Sequence, residues 1–254
     1  MELNVLDLFS GIGGFSVGLE ATGKFKTIGF CEQDKFCHKV LQKHWSEVPI
    51  YEDIKKLDGT KIRADVVVGG FPCQSFSVAG KQKGKDDERY LWDEMFRVIK
   101  EVQPRWIIGE NVQNLINISD GQILQGIHND LESQNFEVQT FNIEASSQGA
   151  WHKRSRIWIV AANTKKNVWD SESSRLQSCT LGPEKREFRR TSSWREQCKS
   201  DWWQTESELF GVPNGVSTEL DKDRANRIKA LGNSVCSPII KEIGKAIIQA
   251  EEEN

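Results

Sequence analysis

Three short, mostly apolar runs, Asn4–Leu8, Asp65–Val68 and Arg105–Ile108, each break off at a glycine-bearing turn. Runs of this length without polar alternation suit strands buried on both faces, and such strands belong to parallel sheets covered by helices. The intervals agree with that reading. Lys26–Cys31 reads as a further strand, while Gly13–Ala21 and Lys35–His44 carry helical spacing. Leu91–Val102 places Leu91, Met95, Val98, Ile99 and Val102 on one side of a helix. Strand and helix in alternation predict an α/β fold with a mostly parallel sheet. Phe136–Ile143 and Arg156–Ala161 read as neighbouring strands, a candidate hairpin across the loop between them. Ile239, Ile243, Ala246 and Ile247 mark a C-terminal amphipathic helix.

Between the last strand and that helix, residues 163 to about 224 are rich in Ser, Arg, Glu and Trp and show little period. The overall charge of −3 conceals this stretch. Residues 151–203 hold twelve Lys and Arg against six Asp and Glu, a net +6, and six of the nine tryptophans. A basic, Trp-rich segment on an acidic body is a candidate nucleic-acid surface; a solvated face over a local core is the plainer reading. At about 150 residues per domain, 254 residues make one domain and a fraction. No apolar run approaches the ~18 residues of a membrane span, the longest being Ile157–Ala162. Met1–Asn4 has no basic, signal-like start, and the six cysteines contain no CxxC pair, so a reduced cytoplasmic setting with free thiols is expected. No compact His/Cys spacing suggests a metal site.

The turns carry the chemistry. In Asp7-Leu8-Phe9-Ser10-Gly11-Ile12-Gly13-Gly14-Phe15 a strand enters a glycine-rich turn and then a helix. Such a turn lets a ligand approach the backbone. The glycine spacing is not that of a dinucleotide site. Glu32, at the end of the next strand, is placed for ribose hydroxyls, and Asp53 for an amino group of adenine, so an adenosine-bearing cofactor fits. Gly69-Gly70-Phe71-Pro72-Cys73-Gln74-Ser75-Phe76-Ser77 follows a buried strand and so falls at the carboxyl edge of the sheet. Cys73 there faces the site, whereas Cys31, Cys37 and Cys236 read as small buried hydrophobes. Glu110, in Gly109-Glu110-Asn111-Val112, is a carboxyl that a low-dielectric cleft would make an acid; by itself it would pass for a carboxylate at a helix start. Arg154 and Arg156, at i and i+2 on a strand, would share a face and grip a phosphate and a carbonyl oxygen. Asn233 and Ser234 precede the last helix and read as caps that also meet a ligand.

In this order the motifs resemble the cytosine-5 DNA methyltransferase family, over residues 4–162 and 225–250. The Gly70–Gly84 run and Gly109–Val112 are its most specific parts, and Arg227–Ser234 resembles the short, phage-type, Dcm-like members. The resemblance implies a Rossmann-like S-adenosylmethionine-dependent methyltransferase fold with helices on both faces of the sheet and a small irregular target-recognition region. It implies that residues 1–162 with 225–254 form the catalytic and cofactor-binding domain, and 163–224 the recognition region. S-adenosyl-L-methionine is then the cofactor, S-adenosyl-L-homocysteine its product, and cytosine in double-stranded DNA the substrate.

The implied roles fall residue by residue. Cys73 is the nucleophile, Glu110 meets the N3/N4 edge, Asn111 orients its loop, Arg156 holds O2 and Arg154 supports the site. Phe9, Gly11, Gly13 and Gly14 line the methionine and adenosine turn, Glu32 takes the ribose, and Asp53 with Ile54 takes the adenine. Pro72 and Leu91 lie near the sulfonium end, Asn233 and Ser234 close the site, and Gln33 occupies a cofactor position where a large apolar residue is frequent. Gln74, Ser77, Lys81, Gln82, Arg189, Arg190 and Arg195 are the expected DNA contacts. Trp151 stands where proline is usual, and His152 where many members have Gln. A monomer is expected, with a restriction endonuclease of the same system as a partner. A transfer-RNA methyltransferase on the same scaffold is the alternative enzyme. A non-catalytic relative would be marked by loss of Cys73 or Glu110, and both are present.

Overall fold

A computed structural model of the chain describes residues 2–72, 91–150, 153–165 and 224–253. The strands are β1 (Leu3–Leu8), β2 (Phe25–Cys31), β3 (Ile50–Tyr51), β4 (Val66–Gly69), β5 (Trp106–Val112), β6 (Phe136–Glu144) and β7 (Ser155–Asn163). The helices are α1 (Gly14–Glu20), α2 (Lys35–His44), α3 (Trp92–Val102), α4 (Gln122–Ser133), α5 (Arg224–Asn233) and α6 (Ser237–Glu252). The strands make one sheet in the order β3-β2-β1-β4-β5-β7-β6. Neighbours are parallel except at β7, which runs antiparallel to both β5 and β6. The mostly parallel α/β sheet and the β6–β7 hairpin are as expected. The sequence order reverses at β1, which lies between β2 and β4, and a ligand crevice forms outside the carboxyl ends of strands at such a point.

Both faces of the sheet are covered. On one, Leu6, Leu8, Val67 and Ile107 pack against Met95, Val98 and Ile99 of α3 and Ile123, Ile127 and Leu131 of α4. On the other, Leu3, Val5, Val66, Val68 and Ile108 pack against Phe15 and Leu19 of α1 and Ile239, Ile240 and Ile247 of α6. Alternate residues of one strand therefore enter two different cores, which is why these strands read as unbroken apolar runs.

The helices α1 and α6 approach closely. A Cβ on Gly18 would lie 2.6 Å from both Ile240 Cβ and the Ser237 carbonyl oxygen. The Ser237 hydroxyl donates to the Gly14 carbonyl at 2.8 Å. At the far end of α6, Glu251 accepts from Trp106 Nε1 at 2.7 Å and pairs with Arg105, so the last helix is fastened to the start of β5.

Several expectations shift. Two helices were not expected: α4, and α5, which ends at Asn233. Asn233 and Ser234 are therefore not N-caps. They belong to the end of α5 and the link to α6, whose N-cap is Cys236 without a side-chain bond. Pro238 explains the start, because its missing N–H costs nothing in a first helical turn. Arg154 is not on β7. It precedes the strand with φ +29°, so it does not share a strand face with Arg156. The strand β5 runs on past Ile108 to Val112, so Gly109–Val112 forms the end of the strand, as expected, and pairs with β7. Ala246 is exposed, and Gly244 takes its place on the buried side of α6. Among the described residues no helix is long and apolar enough to cross a membrane.

Candidate active site

The glycine-rich turn after β1 is held by one carboxylate. Phe9 and Gly11 both adopt left-handed backbone, at φ +53° and +54°. Glu32 accepts from Gly11 N at 2.7 Å, Gln33 N at 2.8 Å and Asp34 N at 2.7 Å. Two of those N–H groups reach Oε1 and one reaches Oε2, so Oε2 keeps acceptor capacity toward the cleft. A Cβ on Gly11 would meet nothing within 4 Å among the described residues, leaving the backbone open to a ligand there. Across the cleft, Asp53 caps the 3₁₀ turn Ile54–Lys56 by accepting from Lys55 N at 2.9 Å. Ile54 is buried behind it. Two carboxylates and an open turn form an acceptor set for hydroxyls and an amine.

The second half of the cleft comes from β4, β5 and β7. Beyond Gly69 the chain continues through Gly70-Phe71-Pro72 toward Cys73. The Asn111 amide donates to the Phe71 carbonyl at 3.0 Å, and its oxygen accepts from Val112 N at 2.9 Å. Asn111 thus fixes the approach to the cysteine. Glu110 stands opposite Trp158 in the β5–β7 register, while Arg156 stands opposite Val112. Glu110 and Arg156 are diagonal neighbours on one face, and Arg156 Nε meets Glu110 Oε1 at 3.0 Å. Trp158 has no exposed surface and touches Phe15 edge-on, with ring centroids 6.2 Å apart. Burial raises the Glu110 pKa above the usual carboxylate range, against the opposing pull of Arg156 and Arg154. Arg154 turns the other way, donating to the Ser234 carbonyl at 2.7 Å.

The halves open into one cleft of about 830 Å³. Of the residues expected at the site, Phe9, Gly11, Glu32, Gln33, Asp53, Ile54, Pro72, Leu91, Glu110, Asn111, Arg154, Arg156 and Asn233 line it. Others face elsewhere. A Cβ on Gly13 would point at Trp45 and Leu41, and one on Gly14 at Ser234 and Val235, so these two glycines serve close packing. Ser234 meets Arg154 through its backbone. Cys73, Gln74, Ser77, Lys81, Gln82, Trp151, His152, Arg189, Arg190 and Arg195 lie outside the described residues. Cys31 and Cys37 are buried as expected but also border the cleft, and burial pushes both thiols up to about 12. Cys236 is half-buried. Among the described residues no group of three or more His, Cys, Asp or Glu could hold a metal ion.

Sequence reasoning missed Asp34 and Lys229. Both line the cleft, and Lys229 Nζ meets Asp34 Oδ2 at 3.0 Å across it. The signal was present in Lys229, which falls inside the Arg227–Ser234 motif, but nothing in the sequence places α5 against the turn after β2.

The model of the C-5 cytosine-specific DNA methylase family matches residues 3–209. The chain is 41% identical over 166 residues to Type II methyltransferase M1.ScrFI of Lactococcus lactis subsp. cremoris, covering 65% of this chain and 42% of that protein. It is 37% identical over 164 residues to Type II methyltransferase M.SsoII of Shigella sonnei, covering 64% and 43%. The chain thus spans less than half the length of these two relatives. Among solved structures, the Entamoeba histolytica methyltransferase EhMeth matches with a TM-score of 0.55 at 20% identity, over 65% of this chain and 54% of that one, a likeness of fold. With its family model matched over most of the sequence, the chain belongs to the C-5 cytosine-specific DNA methylase family.

Proposed function

We propose that the chain transfers a methyl group from S-adenosyl-L-methionine to carbon 5 of a cytosine flipped out of a specific double-stranded DNA sequence, through a covalent bond from Cys73 to carbon 6. The observation that carries this reading is the pairing of buried Glu110 with half-buried Arg156, in one cleft with Glu32 and Asp53. Carbon 5 of cytosine is a weak nucleophile. Attack of the Cys73 thiolate at carbon 6 makes it enamine-like. Negative charge then builds on the ring, and Glu110, its pKa raised by burial, delivers a proton to N3 as the carbon–sulfur bond forms. Arg156 is held by Glu110 through Nε and by the Ser155 carbonyl through Nη1, and it has N–H groups left to donate to cytosine O2. Asn111 steadies the chain leading to Cys73. Once carbon 5 is methylated, its proton is lost to water, the ring electrons return, the carbon–sulfur bond breaks to release the Cys73 thiolate, and N3 gives its proton back to Glu110. Flipping the base out of the stack costs a few kcal/mol.

The cleft fits the cofactor. Oε2 of Glu32 retains acceptor capacity for a ribose hydroxyl, and the backbone at Gly11 is open. Asp53 and Ile54 are assigned to adenine, Phe9 and Gly11 to the turn around the ligand, and Pro72 and Leu91 to the sulfonium end. When bound, the sulfonium supplies an electrophilic methyl group. Residues 163–224 are assigned to target recognition. The relatives named Type II methyltransferases support a restriction endonuclease as partner, and the enzyme is assigned to act as a monomer in the cytoplasm.

DNA carrying 5-fluorocytosine tests the reading, since fluorine cannot leave as a proton does. With cofactor and target DNA the wild-type chain should give a denaturant-stable protein–DNA adduct. Cys73→Ala should give none yet still bind S-adenosylhomocysteine. No adduct from cofactor-bound wild type on methylatable DNA would sink the proposal.

A further inference from the structure

The strand β3 is two residues long, so the segment after it, which carries Asp53 and Ile54, has little sheet to hold it. Its support comes from α3. Arg97 Nη2 donates to the Ile54 carbonyl at 2.6 Å, and Nη1 donates to the Leu57 carbonyl at 3.0 Å. These carbonyls belong to the first residue and the C-cap of the turn whose N-cap is Asp53. Two carboxylates of α3 fix the guanidinium: Glu94 takes Nε at 2.9 Å and Glu101 takes Nη1 at 2.8 Å. The second Glu101 oxygen accepts from Gly59 N at 2.8 Å, extending the grip along the segment. A Cβ on Gly59 would fall 2.9 Å from Glu101 Cβ, so the two elements meet at backbone distance.

We infer that Arg97 is a positioning residue for the adenine end of the cofactor: it touches no ligand and acts by holding the Asp53–Leu57 turn at the cleft wall. The inference rests on the cofactor reading above. The planar fork reaches two carbonyls and two carboxylates at once, which a lysine ammonium cannot reproduce. Without it the turn keeps its Asp53 cap but loses the hydrogen bonds that Arg97 makes to the Ile54 and Leu57 carbonyls. The consequence is confined to the side of the cleft that Asp53 and Ile54 line; Glu110 and Arg156 lie on the other half.

Calorimetric titration with S-adenosylhomocysteine and with adenosine tests this on the wild-type chain, Arg97→Gln, Arg97→Lys, Asp53→Ala and the Arg97→Gln/Asp53→Ala double variant. Measurements are made at a temperature where circular dichroism finds each variant folded. Both Arg97 variants should bind S-adenosylhomocysteine about tenfold more weakly. Adenosine should lose the same factor, because the defect lies at the adenine end. The double variant should be no weaker than the weaker single one, because both substitutions disable one turn. Wild-type affinity in Arg97→Gln or Arg97→Lys, additive losses in the double variant, or a loss for S-adenosylhomocysteine without one for adenosine would each overturn the inference. Failure of the wild-type chain to bind either ligand would overturn the cofactor reading as well, a result distinct from the others.

Discussion

Asp7 sits near the carboxyl end of β1 with no exposed surface. The Ser16 hydroxyl donates to its Oδ2 at 2.8 Å, but Oδ1 has no hydrogen-bond partner among the described residues. Burial, aided by Glu32 and Glu20, pushes its pKa up to about 8, although Ser16 opposes the shift. The folded chain therefore holds a proton that the unfolded chain releases near pH 4. The folded state binds more protons between those values, so the contribution of Asp7 to stability is fullest below pH 4 and drains away as pH rises toward 8. Asp7→Asn cannot titrate. Chemical denaturation from pH 5 to pH 9 should find the wild type losing on the order of a few kcal/mol relative to Asp7→Asn, whose own profile is flatter. The unpaired amide hydrogens of the variant cost the same at every pH, so the slope is the diagnostic. Parallel profiles would mean that Asp7 is ionised throughout. Nothing in the motif distinguishes this carboxyl from Glu32, although one is buried under α1 and the other faces the cleft. A sequence gives residue type and spacing, and the desolvation that separates them is three-dimensional.

Legibility varied among the elements for physical reasons. Lys35–His44 was readable to the residue, because Asp34 caps it and its apolar side is regular. β1, β2 and β4 were readable to within a residue at each end, since double-sided burial leaves little but apolar side chains. α4 shows Ile123, Ile127 and Leu131 at intervals of four, but Gly126 and a polar surround weaken the pattern. α5 has hardly any apolar stripe, because it lies over a polar cleft and of its described side chains only Ala230 is buried. The two arginines misled for a related reason: spacing assigned both to one strand, whereas the left-handed backbone at Arg154 turns it toward Ser234. Gly14 and Gly18 were read for what they offer a ligand, or passed over, yet both lie where α1 meets the C-terminal segment. Gly18→Ala should cost about 1–3 kcal/mol, because Ile240 and the Ser237 carbonyl must move. Gly232→Ala, with nothing among the described residues within 4 Å of its Cβ and a helical setting, should be neutral or gain up to about 1 kcal/mol. Equal melting temperatures for the two variants would contradict the close approach.

At the scale of the molecule the cleft is a seam. The ends of β1, β2, β4 and β5 form one wall, and α5, arriving from the C-terminal part of the chain, forms another through Lys229, Ala230 and Asn233. A ligand touching both should stabilise the whole. S-adenosylhomocysteine at a hundredfold excess over its Kd should contribute about 2.7 kcal/mol, a rise of roughly 5–10 °C in melting temperature. Methionine alone, which reaches only one end of the cleft, should do far less at equal concentration. Equal shifts from the two would place the adenosine part outside the cleft.

Glu32 has a consequence of a different kind. Its carboxylate binds three backbone N–H groups from two turns, quite apart from any ribose. Replacing it would disorder the architecture before it touched the chemistry. Glu110, whose ion pair is with Arg156, carries no such second duty among the described residues. In a lineage that abandoned the reaction, descent would preserve Glu32 and let Glu110 drift. Of the two acids, Glu110 is therefore the witness to an active line, and Glu32 only to an intact one.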